Sequence, residues 1–221
     1  MSAYAGHVTP GGPSQVRELS RLVLRKCSVG ELDNNVYLLT CRATGKQLLV
    51  DAADDPARLK SLVAEGAGRL GTILTTHRHY DHVRALAELA AWSGATTLAG
   101  AEDADALPVA PDRRLGHGDH VQVGEITLDV VHLRGHTEGG IALAYADPEG
   151  ITHLITGDSL FPGGIGNTNM PGQSFDQLYA DVTERIFDVY DDDTWFYPGH
   201  GDDSTLGAER PHLAEWLERG W

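Results

Sequence analysis

The stretch Thr76-His77-Arg78-His79-Tyr80-Asp81-His82, entered from the apolar run Gly71-Thr72-Ile73-Leu74-Thr75, decides how the rest of the chain is read. Three imidazoles and a carboxylate stand within six residues at the exit of a predicted strand. Buried together they would leave several polar nitrogens without partners, and metal satisfies such a set most economically. Imidazole nitrogen and carboxylate oxygen suit zinc first, with iron or manganese also able to use them. His77 and His79, two apart at an extended strand end, can converge on one ion. Asp81 and His82, at the turn into the following helix, can reach a second ion beside it.

Four more residues of the right chemistry stand at element ends, three of them beside glycine. His136 lies in Arg134-Gly135-His136-Thr137-Glu138-Gly139-Gly140, Asp158 in Thr156-Gly157-Asp158-Ser159, and His200 in Tyr197-Pro198-Gly199-His200-Gly201. Asp51 ends the run Gln47-Leu48-Leu49-Val50. Glycine lets the backbone come close to an ion. A carboxylate at a strand exit, as at Asp158, is a natural bridge between two cations because one oxygen can face each. Asp51 is read as accepting a hydrogen bond from a ligand imidazole, or else as a plain turn residue. Alone, His136 or His200 would be an ordinary loop histidine; the cluster at 77 to 82 changes that reading.

The spacing of apolar residues supplies the frame. Strands are predicted over 21–25, 35–39, 47–50, 71–75, 96–99, 125–132, 141–145, 152–156 and 195–197. Helices are predicted over 56–66, from Val83 onward with an exposed Arg84–Glu88 pair, from Phe175 to Val189, and over 211–219. Asp54 or Asp55 can cap the first helix, and Ser174-Phe175-Asp176-Gln177 has the form of a capping box. The order is strand-rich, helix, strand, helix, and then the same again. It implies two similar halves, each a sheet covered outside by helices, with the sheets packed together: an α/β, four-layer αβ/βα sandwich. Residues 1 to 15, rich in Gly, Pro and Ser, read as a flexible arm before a single domain over 16–221.

The chain has 221 residues, 41% of them apolar, enough for a large core. Against 17 Lys and Arg stand 32 Asp and Glu, a formal charge of −15. Such a surface repels polyanions and argues against nucleic acid as a partner. Cys27 and Cys41 have no CxxC spacing and read as small buried hydrophobes. No apolar run approaches the roughly 20 residues of a membrane helix, and the N-terminus lacks the form of a signal peptide, so a cytoplasmic location is expected.

The set His77-Arg78-His79-Tyr80-Asp81-His82, Gly135-His136-Thr137, Gly157-Asp158 and Gly199-His200-Gly201 resembles the metallo-β-lactamase fold superfamily, and within it the glyoxalase II, or hydroxyacylglutathione hydrolase, branch. The resemblance implies that His77, His79 and His136 hold a first ion, that Asp81, His82 and His200 hold a second, and that Asp158 bridges them. It implies a dinuclear hydrolase that readies water for attack on an acyl carbonyl, with Asp81 also orienting that water and a small acyl thioester as substrate. His132 matches a histidine seen before the third motif in relatives and is read as structural or close to substrate. Tyr80, Phe161, Asn167 and Asn169 are candidate substrate contacts by position; His7, His117, His120, His153 and His212 are read as solvent-exposed. Two departures point away from glutathione itself. Glu138 stands where relatives commonly carry proline, and residues 163–169 are Gly- and Asn-rich where basic residues are expected after the bridging Asp. Of the 21 residues after His200 the one expected helix is acidic, where the glutathione-using enzymes carry a helical extension that supplies basic residues. The alternatives within the superfamily are a persulfide dioxygenase with one iron and a lactonase; outside enzymes, a non-catalytic binding protein.

Overall fold

The computed structural model describes residues 4–220. Seven strands form the first sheet, in chain order β1 (Gln15–Glu18), β2 (Leu22–Val29), β3 (Asn34–Cys41), β4 (Gln47–Val50), β5 (Leu70–Thr75), β6 (Thr96–Gly100) and β7 (Arg113–Leu115). The first four pair antiparallel, and β4 to β7 run parallel. Parallel neighbours need crossovers, and α1 (Pro56–Glu65) and α2 (Leu86–Ser93) supply two of them. The second sheet holds six strands, ordered β15-β14-β11-β10-β9-β8, from β8 (His120–Val123), β9 (Ile126–His132), β10 (Ile141–Ala146), β11 (Thr152–Gly157), β14 (Trp195–Pro198) and β15 (Ser204–Thr205). A small hairpin of β12 (Leu160–Phe161) and β13 (Gly164–Ile165) stands after it. Helices α3 (Phe175–Val182), α4 (Leu206–Glu209) and α5 (Leu213–Arg219) complete the chain.

Alternation along the strands builds the layers. In β3, Tyr37 and Leu39 face the second sheet and pack with Val130, Leu143, Ile155 and Tyr197, while Val36 and Leu38 turn outward onto Leu59, Leu62 and Leu86 of the helices. The second sheet mirrors this, with Ala142, Leu154 and Phe196 under Leu178, Val182 and Trp216. The expected αβ/βα sandwich is what forms.

Several local expectations are met and several are corrected. Asp55 caps α1, accepting from the Arg58 amide, with Pro56 in the first turn. Only half of the capping box forms: Ser174 Oγ accepts from the Gln177 amide, while the Gln177 side chain reaches forward to Asp181. The stripe from Phe175 does not run to Val189, because the helix widens into a π-turn over Thr183–Phe187 and leaves Val189 exposed. Arg84 and Glu88 do not pair. Helix α2 begins only at Leu86, so Arg84 lies before it and binds Asp54, while Glu88 takes Lys60. The first three residues of the expected arm lie outside the described residues. From Tyr4 onward the arm lies against the body: the Tyr4 hydroxyl donates to Asp203, and buried Lys26 reaches the Gly6 carbonyl, the Gly201 carbonyl and Asp203. Both cysteines are buried and free.

His153 corrects the reading of it as a solvent histidine. It is buried on β11, with Nδ1 3.0 Å from the Tyr197 hydroxyl and its ring stacked near Tyr145. Burial, helped by the charge of Arg17, pushes this imidazole down to about 4. The unfolded chain therefore takes up the proton first as pH falls. The stability that the neutral ring contributes is complete above pH 6.5 and is lost toward pH 4. Urea unfolding should show wild type losing about 2 kcal/mol more than a His153→Phe variant between pH 7 and pH 4.5; parallel pH profiles would contradict this.

Candidate metal centre

Strand ends deliver the site. β5 runs parallel between β4 and β6 and ends at Thr75, so Thr76 and His77 emerge at the rim between the sheets. A single 3-10 turn over Tyr80–His82 then aims Asp81 and His82 back inward, both buried. His136 comes from the β9–β10 connection, Asp158 from the end of β11, and His200 from the end of β14.

These side chains form three overlapping groups, each with its ligand atoms within 4.8 Å of one another: His77, His79 and His136; His77, His82 and Asp158; Asp81, His82 and His200. His77 Nε2 lies 3.1 Å from His79 Nδ1, and His82 Nε2 lies 3.2 Å from His200 Nε2. Asp158 Oδ2 stands 3.6 Å from His136 Nε2, 3.9 Å from His77 Nε2 and 3.3 Å from His200 Nε2, while its Oδ1 faces His82 Nε2 at 3.4 Å. Asp81 Oδ2 is 3.5 Å from His82 Nε2 and 3.4 Å from His200 Nε2. All seven residues named from the sequence lie within these three groups, and the Asp158 carboxylate lies between the two sets of imidazoles.

The far nitrogens explain why the near ones are available. His82 Nδ1 donates to Asp51 Oδ2 at 2.8 Å, His136 Nδ1 to the Asn167 carbonyl at 2.7 Å, and His200 Nδ1 to the Leu32 carbonyl at 2.7 Å. Thr76 Oγ1 donates to Asp51, so its lone pair receives His77 Nδ1 at 3.0 Å. In the neutral ring that these bonds select, Nε2 of His77, His82, His136 and His200 is left as a lone pair turned toward the others. His136 Nε2 and Asp158 Oδ1 are buried with no hydrogen-bond partner among the described residues. Converging lone pairs and orphaned buried acceptors fit a cation and little else.

The two carboxylates favour positive charge in the pocket, on the imidazoles that face them or on a bound cation. Burial, together with the neighbouring imidazoles, holds His77 well below the ordinary histidine range; burial likewise lowers His79 and His136. Burial acts in the same direction on His82 and His200, but Asp158 with Asp51 outweighs it at His82, and Asp158 with Asp81 raises His200 to about 10. Burial would raise Asp158, and the imidazoles around it overcome that and hold the carboxylate ionised. The pocket places two carboxylates where positive charge is required.

The other named residues divide. Asp51 accepts from the Thr76 amide, the Thr76 hydroxyl and His82, so it is the acceptor for a ligand imidazole, held with φ 61°. Asn167 acts through its carbonyl on His136, and its side chain accepts from the Asn169 amide; neither asparagine side chain joins the cluster. Phe161 stacks beside His200, ring centroids 6.4 Å apart, and Tyr80 is exposed beneath the Arg84 guanidinium. His132 lies outside the three groups and bonds the Glu138 carbonyl. Residues not foreseen also bear on the site. Asp103 receives the Arg78 and Gly139 amides and ties the two histidine loops together, and Asn34 donates to Asp81. An Asn-Asn pair at a strand start was the visible signal for the latter; Asp103 sits in an acidic loop with none.

The chain belongs to the metallo-β-lactamase superfamily, whose profile matches residues 29–200. It is 40% identical over 134 residues to a hydroxyacylglutathione hydrolase of Fuscovulum blasticum, an alignment covering 61% of this chain and 51% of that protein. The chain thus spans about half the length of that curated relative. Among solved structures it resembles ETHE1 from Myxococcus xanthus, with 28% identity, a TM-score of 0.77, and coverage of 88% of this chain and 84% of that one. It also resembles TTHA1623 in a di-iron-bound form, with 32% identity, a TM-score of 0.71, and coverage of 83% and 95%.

Gly199 offers a test of the packing. A Cβ there would lie 2.0 Å from Asp158 Oδ1 and 2.9 Å from His82 Cε1, so the missing side chain makes room for the carboxylate rather than for an ion. Gly199→Ala should weaken metal retention on the order of 10- to 100-fold with little change in far-UV circular dichroism. Unaltered retention would show that the carboxylate does not need that space.

Proposed function

We propose that the chain is a dinuclear metal-dependent hydrolase that cleaves a small acyl thioester, in the manner of glyoxalase II. The observation that carries this reading is the complete second group, Asp81, His82 and His200, beside the first, with Asp158 between them. The first ion falls to His77, His79 and His136, the second to Asp81, His82 and His200, and Asp158 serves both; zinc suits the donors best, and iron or manganese can replace it. Bound there, a pair of ions acidifies a water and offsets the charge that develops on an attacked carbonyl oxygen.

The chain's own groups supply the rest. Asp81, besides holding its ion, would orient the attacking water. Asp51, Asn167 and Leu32 fix the imidazoles, so the donor atoms need no reorganisation during reaction. A thiolate is a good leaving group, since thiols ionise near pH 8.5, and no strong general acid is required. Phe161, stacked beside His200, would give the acyl group an apolar wall. Arg78 and Arg84, the cations nearest the cluster in sequence, are already engaged by Asp103 and by Asp54, which favours a thioester without glutathione's charges. The identity to a hydroxyacylglutathione hydrolase and the likeness to a di-iron protein support the reading. No helix among the described residues is long and apolar enough to cross a membrane.

Metal content of the purified protein, measured with turnover of a panel of acyl thioesters, lactones and glutathione persulfide, tests the proposal. Two ions per chain and fastest turnover on thioesters are expected. A single iron with oxygen consumption on the persulfide would replace the hydrolase by a dioxygenase, and faster lactone opening would move it to a lactonase. Asp158→Ala should lose at least one ion and nearly all activity, and full occupancy of both sites in that variant would refute the bridging role.

A further inference from the structure

The β2–β3 connection and the start of β3 touch one half of the metal centre and leave the other alone. Asn34 is buried at 2% exposure, and its Nδ2 donates to Asp81 Oδ2 at 2.9 Å. The amide orientation is fixed by chemistry: an ionised carboxylate oxygen only accepts, so nitrogen must face it. The same Nδ2 lies 3.5 Å from His200 Nε2. Two residues earlier, the Leu32 carbonyl accepts from His200 Nδ1 at 2.7 Å, and an isolated bridge pairs the Asn34 and His200 backbones. One residue later, the Asn35 amide donates to the Gly199 carbonyl at 2.8 Å, and Asn35 Nδ2 donates to the Pro198 and Gly201 carbonyls at 3.0 and 2.9 Å.

Asp81 and His200 come from opposite halves of the sandwich, 119 positions apart in the chain, and residues 32–35 hold both. His77, His79 and His136 receive no hydrogen bond from this segment; Thr76, Asn167 and each other are their partners. We infer that Asn34 is the positioning residue of the second ion site, setting the rotation of the Asp81 carboxylate so that Oδ2 faces His82 and His200, and that its loss turns a two-ion protein into a one-ion protein. This rests on the dinuclear reading above and adds to it which residue decides whether the second ion stays. Removing Nδ2 leaves Asp81 ionised but free to rotate about its last torsion, and partners of this kind to metal ligands are worth on the order of 10- to 100-fold in affinity.

The test compares wild type with Asn34→Ala and with Asn34→Leu, the latter filling the same volume without a donor. Each is loaded with zinc and dialysed against graded chelator, and metal per chain is measured by mass spectrometry beside thermal melting. Wild type should hold two ions. Both variants should keep one at wild-type affinity and bind the other on the order of 10- to 100-fold more weakly. In an Asp81→Ala background, which already lacks the second ion, Asn34→Ala should change nothing further. Two ions held with unaltered affinity by either folded variant overturn the inference and leave the dinuclear reading standing. Joint loss of both ions also overturns it, since the residue would then serve the fold. Wild type that binds only one ion overturns the dinuclear reading and this inference together.

Discussion

The far-side hydrogen bonds of His82, His136 and His200 are the constraint on which the site depends. When Asp51, Asn167 and Leu32 accept from Nδ1, each neutral ring has one tautomer available, and that tautomer presents a lone pair at the opposite nitrogen. Three such rings in the neutral form and two carboxylates turned inward bring five acceptors together, and acceptors do not bond acceptors. A fold that buries this set can hold cations there, and burial favours them, since unpaired polar groups in a dry interior are costly. The metal centre is therefore a consequence of where three acceptors stand behind the rings, as much as of the rings themselves.

Those acceptors stand where they do because two sheets share one rim. Parallel strands β4, β5 and β6 end together, so Asp51 after β4 sits beside Thr76 after β5. On the facing sheet β11 runs parallel to β14, which brings Asp158 and His200 to the same level. The interior between the sheets, from Leu22 on one side to Tyr197 on the other, fixes their separation and hence the distance across the ligand set. Buried Lys26, bonded to Asp203 and to the Gly6 and Gly201 carbonyls, ties the loop after His200 to β2. Losing one member of such a buried pair is strongly destabilising, which gives this loop a firmness that its glycines alone would not.

Much of this was legible in the sequence. The alternation in β3 and the helical periods behind β4 and β5 named the layers, because burial on one face imposes a repeat that single residues cannot hide. The candidate ligands were legible because histidine and aspartate crowded at strand exits have no cheaper explanation than metal. Less could be read where partners are distant in the chain. Arg84 chose Asp54 over Glu88 once the helix start moved to Leu86, and His153 was drawn into the interior by Tyr145 and Tyr197, which no local pattern announces. The contributions of Asp103, and of Asn167 through a carbonyl, depend on loops folding across one another. Position near the motifs pointed to Asn167 and Asn169, but which atom acts is a property of the fold.

The surroundings of the cluster bear on substrate as the cluster bears on chemistry. Phe161 stacks beside His200, Tyr80 lies exposed under Arg84, and Arg78 is paired with Asp103, in a chain of net charge −15. Anomalous scattering from crystals of the purified protein, collected above and below the zinc and iron edges, tests the central claim most directly. Two peaks are expected, one enclosed by His77, His79 and His136 and the other by Asp81, His82 and His200, with the Asp158 carboxylate between them. A single peak, or a pocket in which the Nε2 atoms face one another with no metal density between them, would contradict the account.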